Sequence, residues 1–209
     1  MVITADGPEI AVTADLLTRA RAGEASAFCR LAVEHEGRLL QQARGLTRDP
    51  SAAEDLVTET LVEAWRSLSR YNGTCRFSTW LFSILLHRHQ KALRRARSRP
   101  VPLSALPSAE ADERHQAQEN MPASGSSPAE EAMRREVADQ LHAAVTALSE
   151  KHQQVILLRF FEEASLPEIA TVLGCSVGTV KSRLHYALEK LREAQHGVNL
   201  LEVWGDTRV

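Results

Sequence analysis

Apolar residues in this chain recur at intervals of three and four and nowhere alternate, which restricts it to helices packed on helices. Phe28, Leu31, Ala32, His35, Leu39, Leu40 and Ala43 keep that spacing along a predicted helix from Ala25 to Leu46. Before it, Leu16, Leu17 and Ala20 mark a first helix, with Asp15 as its expected N-cap and Gly23 as its stop. Arg48-Asp49-Pro50-Ser51 breaks the pattern, and Ser51 with Glu54 is expected to form a capping box for a third helix. That helix should bury Ala53, Leu56, Val57, Thr60, Leu61 and Ala64, leaving Asp55, Thr58, Glu59, Val62 and Glu63 on other faces. A polar turn then leads to a fourth helix, from Phe77 or Ser78 to about Arg97, packed through Trp80, Leu81, Ile84 and Leu85.

Charge along this first half is segregated. The net charge is only -2, so its distribution says more than its sum. An acidic helix ending at Glu63 is followed by a stretch with no Asp or Glu before Glu110. Within that stretch His87, Arg88, Lys91, Arg94, Arg95, Arg97 and Arg99 accumulate. Such cations neutralise phosphates and supply affinity without reading sequence. Five of the ten aromatic residues lie between the two charged faces. Trp65, Phe77 and Trp80 are read as core, because large aromatics bury. Tyr71, beside Asn72-Gly73 in the polar turn, is expected to expose its ring for stacking on an unpaired base. The succession suggests a segment that meets a protein first and nucleic acid next, although the acidic face also fits an ordinary solvated helix.

Residues 99–132 read as a flexible acidic linker with Pro100, Pro102, Pro107, Pro122 and Pro128 and no sustained period. A second domain follows. Val137, Leu141, Ala144, Val145 and Leu148 form one amphipathic helix, and Val155 to Phe161 another. Ser165 to Leu184 then has the pattern of a helix-turn-helix. Pro167 sits in the first turn, Ala170 is small where helices cross, Gly174 permits the turn, and Ser176 caps a helix reaching about Ala194. That second helix carries Thr179, Lys181, Ser182, Arg183 and His185, with no acid between Glu168 and Glu189. A helix fits the major groove, where Lys and Arg meet guanine and Ser or Thr reach bases or phosphates. The predicted fold is therefore all-α: an arm at 1–11, a helical domain at 12–98, the linker, a helix-turn-helix domain at 133–195 and a tail at 196–209. Leu200, Leu201, Val203 and Trp204 give the tail apolar residues without indicating where they dock.

Several classes are disfavoured. Cys29, Cys75 and Cys175 are scattered and odd in number, which suits a reducing cytosol and no disulfide framework. The N-terminus reads as no signal peptide, and no apolar run approaches the ~20 residues that span a bilayer. His87 and His89 fall on different helix faces and no ligand set is completed, so no metal or cofactor is expected. No nucleophile elbow, phosphate-binding glycine loop or carboxylate pair points to an enzyme.

Two blocks, about 14–98 and 133–194, resemble bacterial RNA polymerase sigma factors of the sigma-70 family, extracytoplasmic-function (ECF) group. The first contains Ala53-Glu54-Asp55-Leu56-Val57-Thr58-Glu59, Ala64-Trp65 and Phe77-Ser78-Thr79-Trp80-Leu81; the second contains Glu168-Ile169-Ala170 and Val177-Gly178-Thr179-Val180-Lys181-Ser182-Arg183-Leu184. The resemblance implies a cytoplasmic factor that binds core polymerase and opens promoters, in a stress or envelope-signal response. It implies that Glu54, Asp55, Thr58 and Glu59 dock on the clamp helices of the largest subunit, and the second domain on the flap of the second-largest. Tyr71, Asn72, Thr74 and Arg76, with His87, Arg88, Lys91, Arg94 and Arg95, would meet the minus-ten element. Lys181, Ser182 and His185 would face minus-thirty-five bases, with Thr179 and Arg183 nearer phosphates. The linker would thread toward the active centre, and an anti-sigma protein would clamp both domains. This chain departs from many members in having Thr58 for Gln, His87 for Asn and Lys91 for Asp. Thr58 removes one polar contact, His87 leaves the preferred base open, and Lys91 adds phosphate affinity. A stand-alone helix-turn-helix regulator and a partner-sequestering module are the alternative readings; the first leaves the acidic helix and aromatic turn unexplained.

Overall fold

Eight α-helices and one short 3-10 turn make up the described residues, 7–98 and 128–194, of the computed structural model; no strand occurs among them. Residues 1–6 of the expected arm, residues 99–127 of the expected linker and residues 195–209, with the expected tail, lie outside the described residues, as does the expected docking of Leu200 to Trp204. Helices α1 (Gly7–Arg21), α2 (Ala25–Thr47), α3 (Pro50–Ser67) and α4 (Phe77–Ser98) form the first bundle. Helices α5 (Pro128–Ala147), α6 (Glu150–Phe160), α7 (Leu166–Leu173) and α8 (Val177–Ala194) form the second.

Local chemistry accounts for the boundaries, with three departures from expectation. Helix α1 starts at Gly7, so residues 7–11 of the expected arm are helical and Asp15 lies inside the helix rather than capping it; its carboxylate instead pairs with Arg19 one turn on at 3.4 Å. The cap of α3 is Asp49 rather than Ser51: its carboxylate accepts from the Ser51 and Ala52 N–H groups at 2.8 and 3.2 Å. Pro50 decides this, since its fixed φ suits the first helical position and places the extended residue before it at the cap. Helix α5 begins at Pro128, inside the stretch read as linker.

The first core is built on Leu16, Leu31, Leu81, Phe82 and Leu85, all at most 1% exposed. The second is built on Val155, Ile156, Leu158, Ile169 and Val180. Burying a side chain of this size removes about 1.5–3 kcal/mol of unfavourable hydration. The two bundles also meet, where α4 packs against both α6 and α7. Periodicity within each helix does not reveal that meeting.

Candidate polymerase and nucleic-acid interfaces

On α3 the inward stripe of Ala53, Leu56, Val57, Thr60 and Ala64 turns Glu54, Asp55, Thr58 and Glu59 out to solvent. The Thr58 hydroxyl donates to the Glu54 carbonyl at 2.9 Å, so it serves its own helix. Glu59 is ion-paired: Arg88 Nε on α4 lies 3.1 Å from its Oε2, and Glu63 lies 3.9 Å from the same guanidinium. The expected docking carboxylate and an expected phosphate contact therefore bind each other.

The turn before α4 corrects one expectation. Tyr71 does not project; it is 6% exposed. Its ring packs 5.4 Å from Phe77 and 5.2 Å from Trp80, and its hydroxyl donates to the Cys75 carbonyl at 2.7 Å. Arg21 of α1 lies over the ring and donates to the Tyr71 carbonyl. A polar turn can bury a tyrosine when the turn itself supplies an acceptor for the hydroxyl. Burial pushes the phenol up to about 12 and the Cys75 thiol up to about 11. The polar tip is left to Asn72, Gly73 and Thr74: Asn72 Oδ1 accepts from the Thr74 N–H at 3.1 Å and its hydroxyl at 2.6 Å, with Gly73 at φ 77°.

Arg76 turns toward the second bundle. Its Nε donates to Glu168 Oε1 at 3.0 Å, and its Nη2 to the carbonyls of Glu162 and Glu163 at 3.1 Å each. Along α4, His87, Lys91 and Arg95 are exposed, and Arg88, Lys91 and Arg95 line an open groove of ≈ 550 Å³ bordered by Glu59. Arg94 leaves this row and pairs with Glu150 of α6, Nε to Oε1 at 3.3 Å. His89 faces the other bundle, and burial holds its pKa below the usual imidazole value.

In the second bundle, Ser165 and Glu168 close a capping box on α7, and the chain leaves that helix at Gly174 with φ 61°. Partial burial alone would raise the Glu168 carboxyl; hydrogen bonds from Arg76 and Ser165 outweigh it and hold the group at about 2. Ser176 Oγ accepts from the Thr179 N–H at 3.1 Å and starts α8. Lys181, Ser182 and His185 are exposed, whereas Thr179 and Arg183 are half-buried. Ser182 bonds back to the Gly178 carbonyl at 3.0 Å, and His185 Nε2 lies 3.4 Å from Glu189. An open row of Lys181, Ser182 and His185 on a capped helix can enter a major groove. Among the described residues no three His, Cys, Asp or Glu side chains are grouped to hold a metal ion.

The Sigma-70 region 2 family matches residues 31–99, and the Sigma-70, region 4 family matches residues 144–193. The chain is 30% identical to the RNA polymerase sigma-H factor of Pseudomonas aeruginosa, over 86% of this chain and 91% of that protein. It is 34% identical to the ECF RNA polymerase sigma factor SigL of Mycobacterium tuberculosis, over 83% of this chain and 91% of that one. This chain belongs to the ECF group of the sigma-70 family. The fold is similar to CnrH, solved in complex with the cytosolic domain of CnrY, with a TM-score of 0.58 at 25% identity, covering 93% of this chain and 99% of that one.

Two residues of this sigma factor have surroundings that only the tertiary structure reveals. Val62 is 45% exposed beside Asp55 and Glu59 on α3; its place off the buried stripe is legible from helical phase, but its adjacency to an ion-paired Glu59 is not. Glu168, part of the family-like block, both caps α7 and binds the turn of the other bundle. No spacing rule links Arg76 to a residue so distant in sequence.

Proposed function

We propose that this sigma factor binds core RNA polymerase through the outer face of α3, places α8 on the minus-thirty-five element and uses the turn and α4 to capture the melting minus-ten element. It directs initiation and is not itself a catalyst. The observation that carries this reading is the coexistence, on one chain, of an exposed acidic α3 face and an exposed polar α8 row on a capped helix-turn-helix. The division into a polymerase and minus-ten domain at 12–98 and a minus-thirty-five domain at 133–195 follows from it. Within the first domain Asn72 and Thr74 supply the exposed polar tip, and His87, Lys91 and Arg95 the phosphate-facing row. Tyr71 is the buried support that holds the turn. The factor works where polymerase works, in the cytoplasm, under an anti-sigma partner and in a stress or envelope-signal response. The similarity to CnrH, solved with CnrY, supports such a partner.

Run-off transcription with core enzyme over a randomised promoter library tests the whole reading, which expects enrichment of two separated elements. Asp55→Arg, at an exposed position, is expected to abolish holoenzyme formation in a gel-filtration assay while leaving helical content unchanged. Normal holoenzyme formation by this variant would show that α3 is not the docking face. Tight duplex binding without polymerase would instead favour a stand-alone regulator.

A further inference from the structure

We propose that the chain carries a binding site for a medium-chain carboxylic acid, whose alkyl tail fills an apolar cavity and whose carboxylate meets Arg44 at the rim. The cavity measures ≈ 270 Å³ and is walled by Leu86 and Leu93 of α4, Leu141 and Val145 of α5, Leu157 of α6, and Phe161. Its interior is apolar because the polar side chains in the wall are already used. Gln90 donates to the Glu150 carbonyl at 3.3 Å and accepts from Gln154 at 2.9 Å. Gln153 donates to the carbonyls of Thr146 and Leu148 at 2.9 and 3.0 Å. The buried side-chain atoms that lack a partner among the described residues, Thr79 Oγ1 and Glu162 Oε1, belong to residues outside the wall. Water in such a space finds too few polar partners to be held, so the space favours an alkyl group.

Size sets the tail. An apolar protein cavity of about 150 Å³ takes a benzene ring, and in proportion this one holds an alkyl chain of about ten carbons. Phe161, 40% exposed, and the exposed Arg44 both line the cavity, which places its mouth beside them. Charge sets the head. Nearby cations are committed: Arg38 to Glu162, Arg48 to Asp139, Arg76 to Glu168 and Arg94 to Glu150. Arg44, in the wall, makes no ion pair and no side-chain hydrogen bond among the described residues. Its planar guanidinium matches a carboxylate through two parallel N–H donors. His89 adds no charge to the wall, because burial first and the neighbouring His142 second keep its imidazole neutral near neutral pH. An uncommitted guanidinium beside a neutral imidazole suits a monoanion rather than a doubly charged phosphate. An apolar space with a few placed polar groups at its edge is the general form of a small-molecule site.

The occupant touches α2 and α4 of the first bundle and α5 and α6 of the second, so its concentration feeds into the stability of the whole chain. The site lies apart from the exposed faces of α3 and α8, does not depend on the sigma-factor reading, and is tested on the purified full chain. Isothermal titration calorimetry with decanoate, below its micelle concentration, should show saturable binding at one site per chain. Octanoate should bind on the order of tenfold more weakly, since it buries fewer methylenes. Arg44→Ala, at an exposed position, should weaken decanoate about tenfold and leave decanol, which has the same tail and no charge, unchanged. Val145→Phe, which fills the cavity, should abolish binding of both with helical content unchanged; if that variant does not fold, the Arg44→Ala comparison still decides. Absent or unsaturable decanoate binding, an affinity independent of chain length, or an Arg44→Ala loss shared equally by decanol overturns the site.

Discussion

Tyr71 shows how one side chain changes meaning when its partners are known. In sequence it stands in a polar turn; in the fold its hydroxyl finds the Cys75 carbonyl and its ring finds Phe77 and Trp80. Tyr71→Phe should therefore cost about 1–2 kcal/mol in urea unfolding, because the buried carbonyl loses its donor. Unchanged stability with lost promoter melting would instead assign the hydroxyl to the DNA. Lys181 is the opposite case, exposed in the structure as expected from its spacing. Lys181→Ala should weaken discrimination at one or two upstream base pairs by about 1–3 kcal/mol in a library selection. Uniform weakening over all sequences would make it a phosphate contact. Exposure of Lys181 was legible because helical phase sets it; burial of Tyr71 was not, because no period governs a turn.

Helix ends were readable where the signal was local and complete. Pro167 and Gly174 act at α7 as expected, and Ser165 with Glu168 adds a capping box that was not among the expectations, although its spacing is local. At α3 two residues competed for the cap, and Pro50 favoured Asp49. What the α7 box does beyond its helix depends on Arg76. The Glu168 pKa is depressed from 4.5 to about 2, below its unfolded value. Its stabilising contribution is therefore complete above pH 4.5 and is lost as pH falls through the folded value near 2. Glu168→Gln should flatten that part of the acid limb in a thermal-unfolding series, while lowering stability at neutral pH. An unchanged acid limb would mean that the carboxylate is not held as described.

At the scale of the molecule, two helical bundles carry separate surfaces and share a seam of polar contacts. The all-α class, the helix-turn-helix and the charged faces of α3 and α8 were determined by the sequence itself, because period, capping and glycine placement act over a few residues. The tertiary structure decided which of those charges remain available. It neutralised Arg88 against Glu59, turned Arg94 and Arg76 toward the second bundle, and buried Glu162 between Arg38 and Gln42. The physical reason is range: a helix face follows from neighbours three and four residues away. An ion pair between Arg76 and Glu168 exists only once two separately folded surfaces have met.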